Sequence, residues 1–223
     1  MGRGGRDNGR VPSPRTALDR PSTEVAPLLL GWQLVSDTAE GLVAVELTEV
    51  EAYAGTADPA SHAYRGPTPR NAVMFGPAGH LYVYLSYGMH WCANVVTGPA
   101  GEASAVLLRS GRVVEGADLA RRRRGASVRD RSLARGPACL TSALAITRDH
   151  NGVDLLAGGP LRLETSERAA ADVASGPRVG VSTAAAVAWR FWVAGDDTVS
   201  AYRRSPRAAA DPTFDPRGPT PRR

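Results

Sequence analysis

The chain has 223 residues, 43% of them hydrophobic, which is enough for one domain with a full core. No apolar run approaches the roughly 18 to 20 residues of a membrane span, residues 1–24 lack the apolar stretch of a secretory signal, and Cys92 and Cys139 stand too far apart for a CxxC pair, so the protein reads as soluble and intracellular, without a disulfide framework or zinc site. All 27 basic residues are arginine against 22 acidic ones, a formal net charge of +5; this permits a polyanionic partner, fits a GC-rich genome, and leaves no side-chain amine for Schiff-base chemistry.

In chain order, residues 1–24 are rich in Arg, Pro and Gly and read as a disordered basic arm; it could lie on a polyanion or simply be a solvated tail. Ala26–Leu30 reads as a short helix closed by Gly31. Residues 32–36 and 42–53 read as a hairpin turning at Ala39-Glu40-Gly41. Strict alternation in the second strand puts Glu49, Glu51 and Tyr53 on the face of Val43, Val45 and Leu47. Glu51 then points inward, where a carboxylate is costly unless it has a partner or a task.

Residues 55–80, with four glycines and four prolines, form a long loop of the kind that is commonly functional. Residues 81–86 and 91–96 read as strands joined by the turn Tyr87-Gly88-Met89-His90, with Tyr87 at the hairpin tip. Further strand is expected at 104–109 and 111–114, helix at 119–124 and 137–146, and strand at 160–164, 178–181 and 188–194. Residues 205–223 read as a second disordered tail, leaving 25–204 as the domain.

The segment from Glu49 to Asn94 holds five of the six tyrosines and three of the four histidines. Aromatic rings with polar tips beside a strand carboxylate suit a flat, π-rich ligand that is stacked, hydrogen-bonded and attacked; a nucleobase is one such ligand.

Several spaced motifs carry a family resemblance. E-V-E-A-Y from Glu49, D-P-A-S-H-A from Asp58, T-P-R-N from Thr68 with M-F-G-P, and L-Y-V-Y-L-S-Y-G-M-H-W-C-A-N from Leu81 stand in this order. A-V-L-L-R at 105–109, the G-P and L-T-S-A-L-A-I region at 136–146, P-R-V-G-V at 177–181 and W-R-F-W-V at 189–193 follow. Over roughly residues 25–204 the chain resembles the alkyladenine DNA glycosylase family, the 3-methyladenine DNA glycosylases of the mammalian type. The resemblance implies an α+β fold: one mixed domain with a curved antiparallel β-sheet, peripheral helices and a protruding β-hairpin. It implies a monomeric enzyme without metal or cofactor that flips a damaged purine from double-stranded DNA and hydrolyses its N-glycosidic bond. In a bacterium such an enzyme is cytoplasmic and associated with the nucleoid. The alternative is a non-catalytic binder of lesions or single-stranded nucleic acid.

By position, the resemblance makes Glu51 the general base, with Arg109 and the backbone carbonyl of Val179 beside the attacking water. Tyr53, His62 and Tyr84 become the walls of a base pocket, where electron-rich rings suit a positively charged alkylated purine. Asn94 becomes a barrier to the exocyclic amine of guanine, and Leu107 falls near the pocket, with core packing an equal reading. Tyr87 becomes the wedge that fills the gap left by the flipped nucleotide, with Met89 and Arg135 as further DNA contacts. Glu49 fits either a structural ion pair or a catalytic role, and Asn71 fits a loop-pinning role better than a DNA contact. The chain departs from the family at Cys139, where a lysine is frequent; Arg135 or the run 121–124 could substitute.

Overall fold

The computed structural model describes residues 13–166 and 172–209. Its strands are β1 Gln33–Thr38, β2 Gly41–Tyr53, β3 Leu81–Ser86, β4 His90–Val96, β5 Ala105–Glu115, β6 Ala134–Arg135, β7 Leu161–Glu164, β8 Val173–Gly176 and β9 Arg190–Val193. They form one antiparallel sheet whose main path runs β3-β4-β5-β2-β1-β7, with β6 paired to β5, β9 to β2 and β8 to β9. The helices are α1 Pro14–Leu18, α2 Ser22–Leu29, α3 Ala117–Arg124 and α4 Pro137–Ala143. This is the α+β architecture expected.

Both predicted hairpins form where turn chemistry and alternation agree. Thr38 faces Gly41 across Ala39-Glu40, and its hydroxyl donates to the Gly41 carbonyl at 3.0 Å. In the β3–β4 turn, Tyr87 and Gly88 adopt φ of 50° and 69°. Left-handed backbone matches the twist of a hairpin but is uncommon for a tyrosine.

The strict alternation expected along β2 does not hold. The sheet's core face continues as Val43, Val45, Leu47, then Val50 and Ala52, all packed in one cluster with α2 and α4. An irregularity between Leu47 and Glu49 leaves Thr48 without a partner in β5 and reverses the parity. On the opposite edge of β2 the neighbouring strand changes at the same place, from β1, whose pairing stops at Glu46, to β9, whose pairing spans Glu49 to Glu51, and a second irregularity leaves Arg109 of β5 without a partner in β2. Glu49, Glu51 and Tyr53 therefore leave the core face for the other face of the sheet. Glu51 is inward all the same, with no exposed surface.

Other segments also depart from the sequence reading. Residues 13–24 carry α1 and the start of α2, whereas residues 1–12 lie outside the described chain. Ser13 caps α1, Leu18 is fully buried, and Arg15 binds Asp154 at 2.7 Å, so tertiary contacts order a stretch whose composition alone reads as loose. The strand expected at 178–181 is instead a bent segment following β8, with Gly180 left-handed at φ 73° and its amide donating to the Arg203 carbonyl at 2.9 Å. The helix expected over 137–146 stops at Ala143, where Ala145 turns left-handed at φ 54° and the Ile146 amide reaches back to the Thr141 carbonyl. In the expected C-terminal tail, Ser205 and Ala208 are buried, and residues 210–223 lie outside the described chain.

Candidate active site

The face of the sheet that Thr48 turns away from the helices lines a cavity of about 780 Å³. Strand β2 contributes Glu51 and Tyr53, β3 contributes Tyr84, β4 contributes Asn94, and β5 contributes Leu107 and Arg109. The loop after β2 adds His62, the segment after β8 adds Val179, and the β3–β4 turn adds Tyr87 at the rim. Nine of the eleven residues to which the resemblance gives a catalytic, pocket or DNA-contact role thus meet in one place.

Glu51 sits at the bottom, held on three sides. Its Oε1 accepts from the Val179 amide at 2.7 Å and lies 3.3 Å from Arg109 Nη1, and its Oε2 accepts from the Tyr53 hydroxyl at 2.9 Å. The backbone contact of Val179 with the carboxylate is made by its amide. Arg109 bridges Glu51 and Glu49, for its Nε also donates to Glu49 Oε1 at 2.8 Å. Burial would lower the Arg109 pKa, but Glu51 and Glu49 overcome this and raise it.

Glu49 faces a separate set of donors. Arg190 Nε at 2.6 Å and the Ser200 hydroxyl at 2.9 Å share Oε1 with Arg109; Oε2 accepts from the Ser110 hydroxyl at 2.8 Å and the Ser200 amide at 2.7 Å. Burial pushes its carboxyl up, but Arg109, Arg190 and the Ser200 amide outweigh this and hold it below the ordinary value. Glu49 does not line the cavity; of its two sequence readings, the geometry shows the ion pair.

Aromatic rings form the wall. His62 meets Tyr84 edge-on with centroids 4.5 Å apart, and Tyr82, behind them, stacks on Tyr84 at 5.7 Å. The Tyr82 hydroxyl lies 3.2 Å from His62 Nδ1. Desolvation and then Arg70 lower the His62 pKa, favouring the neutral ring, while desolvation raises that of Tyr84 and, with Glu51, that of Tyr53. The Asn94 amide is oriented by donation to the Tyr82 carbonyl at 3.1 Å. Asn71 pins the loop: it accepts from the Thr68 amide at 2.6 Å and donates to the carbonyls of His62 and Gly66. At the rim Tyr87 is 88% exposed and Met89 71%, so the hairpin presents large apolar groups to solvent.

A family model for methylpurine-DNA glycosylase matches residues 16–197. The chain belongs to the methylpurine-DNA glycosylase family. It is 53% identical over 198 residues to a Streptomyces avermitilis protein named "Putative 3-methyladenine DNA glycosylase", covering 87% of this chain and 93% of that one. Proteins of the same name from Nocardia farcinica and Frankia casuarinae are 57% identical over 198 residues and 50% over 213, covering 86% and 90% of this chain and 91% and 98% of their own.

Two expected DNA contacts of this methylpurine-DNA glycosylase family member stand outside the cavity. Met89 shares the exposed turn with Tyr87, and Arg135 donates to the Val199 carbonyl at 2.8 Å. The run 121–124 is largely engaged within the protein: Arg121 binds Asp118 and Asp130, Arg123 binds Glu40, and Arg124 binds the Leu133 carbonyl and Cys139 Sγ. Arg70, Cys92 and Arg203 line the cavity without having been singled out for it, and Asp58, Arg178, Arg190 and Ser200 support it from behind. Among the described residues no group of three or more His, Cys, Asp or Glu side chains is placed to hold a metal ion, and no helix is long and apolar enough to cross a membrane.

Proposed function

We propose that the protein is a monofunctional DNA glycosylase acting as a monomer on duplex DNA that carries damaged purines, 3-methyladenine and 7-methylguanine first, with hypoxanthine and ethenoadenine as neutral substrates. The observation that carries this reading is Glu51 at the floor of an aromatic cavity, with a guanidinium 3.3 Å away and two hydrogen-bond donors on its oxygens. Tyr87 enters the base stack as the lesion swings into the cavity, where Tyr53, His62 and Tyr84 receive it. Glu51, as carboxylate, removes a proton from water attacking C1′ and stabilises the oxocarbenium-like sugar; the base departs and an abasic site remains. Alkylated bases carry positive charge and leave readily. Hypoxanthine needs a proton to leave, so its release depends more on pH. The relatives named above are bacterial, which fits a cytoplasmic enzyme working on the nucleoid.

The test is base release from duplexes with a single 7-methylguanine, hypoxanthine or ethenoadenine, read as alkali-labile sites. Wild type releases the base, and Glu51→Gln, nearly isosteric, binds the lesion duplex but loses release by about 10²- to 10⁴-fold. Release by Glu51→Gln within about threefold of wild type would show that no general base of ordinary strength acts at this position. Binding of lesion duplex by wild type without release would leave the non-catalytic binder as the better reading.

A further inference from the structure

The two protein donors on the oxygens of Glu51, other than Arg109, are the Val179 amide and the Tyr53 hydroxyl. Both lead back to one side chain. Arg178 is covalently joined to Val179, and its guanidinium carbon lies 4.6 Å from the centroid of the Tyr53 ring. Its Nη1 also donates to the Ala52 carbonyl, between Glu51 and Tyr53, at 3.0 Å. Tyr53 lines the cavity and Arg178 does not, so the guanidinium backs the ring from the protein side. Trp189 covers it from beyond, 5.1 Å away.

Arg178 is 1% exposed, and its counter-charge Asp58 is fully buried. The pair is bidentate, Nη1 to Oδ2 at 2.5 Å and Nη2 to Oδ1 at 2.9 Å, while Arg178 Nε has no partner. Burying two charges is costly, and apolar residues of similar volume often serve stability as well or better. An apolar residue could not combine a flat face on Tyr53, a donor to Ala52 and a two-point grip on the loop after β2.

We propose that Arg178, held in place by Asp58, is a positioning residue for Glu51. It fixes the tilt of Tyr53 and the place of the Val179 amide, so that the carboxylate presents a single orientation to the reacting sugar. The proposal rests on the glycosylase reading above.

Single-turnover base release from a 7-methylguanine duplex tests it, using the full chain. The variants are Arg178→Met, Arg178→Lys and the paired Asp58→Asn/Arg178→Met, each in the native and the Glu51→Gln background, with duplex affinity and thermal unfolding followed in parallel. Arg178→Met should slow release by about 10- to 100-fold, since misplacing a reacting group by about 1 Å costs that much, while lesion-duplex affinity changes by less than about threefold. Arg178→Lys, which keeps the charge but not the flat fork, should recover only part of the rate. In the Glu51→Gln background the same substitution should alter the residual rate by less than about threefold, because groups that act as a unit are not additive.

Equal proportional losses in both backgrounds would mark a general structural role and overturn the proposal, as would a wild-type rate for Arg178→Met or Arg178→Lys. If Arg178→Met does not fold, the paired replacement makes the same comparison without an orphaned buried charge. Wild-type release with indifferent Arg178 variants sinks the positioning role alone; a wild type that releases no base sinks the glycosylase reading with it.

Discussion

Glu49 is fully buried and accepts five hydrogen bonds, two of them from arginines. Its carboxyl is held below the ordinary range, because Arg109, Arg190 and the Ser200 amide outweigh the burial that would raise it. A group whose folded pKa is depressed contributes stability above its unfolded value, near 4.3 for Glu, and that contribution is lost as pH falls through the folded value. Glu49→Gln should therefore destabilise the protein by about 3 to 5 kcal/mol at neutral pH, leaving two guanidiniums short of a partner. In thermal melts the gap to wild type should narrow below about pH 4; a gap constant from pH 7 to 3 would contradict this. The family resemblance picked out Glu51, Tyr53, His62, Tyr84 and Asn94, whose motifs fall within one short, aromatic-rich stretch. The sequence did not show what supports them: Asp58 lies 120 residues from Arg178, and Glu49 lies 141 from Arg190 and 151 from Ser200. No local pattern encodes contacts of that span.

The β3–β4 hairpin was readable in advance, since two alternating runs flank a Tyr-Gly turn. Its tip is also the part of the fold with the most exposed aromatic group. Tyr87→Ser should slow excision from a paired lesion more than from a mismatched one, where unstacking is already cheap, with a difference of about tenfold, equivalent to roughly 1.4 kcal/mol of a flipping cost of a few. Equal losses on the two substrates would argue against a wedge. Helix α1 was not readable. Five residues with proline and arginine have little intrinsic tendency to order, and what fixes them is the burial of Leu18 and the pairing of Arg15 with Asp154. Strand β2 was located correctly but its facing was not, because the bulge at Thr48 coincides with a change of neighbour that only the assembled sheet reveals.

At the scale of the molecule, the buried charged residues among those described are Glu49, Glu51 and Asp58 against Arg109, Arg178 and Arg190, three of each sign. The formal net charge of +5 therefore resides wholly outside this neutral cluster. Affinity for duplex DNA should fall linearly on a log–log plot against salt, while single-turnover release from bound duplex stays nearly constant; a rate that tracked affinity would show that surface charge acts on the chemistry as well. No lysine is present, so release should leave intact abasic strands, and borohydride should trap no covalent adduct. An adduct that survived removal of residues 1–12, which leaves α1 in place, would overturn the water mechanism. The bulge in β2 has a last consequence, for how this chain tolerates change in length. Helix-side packing and cavity chemistry are threaded on alternate residues of one strand, joined through the single extra residue Thr48. Deleting Thr48 would remove no catalytic group, yet it would exchange the two sets, turning Val50 and Ala52 toward the cavity and both glutamates toward the apolar helices. Substitution along β2 is graded in its effects, whereas a one-codon gap there is all or nothing.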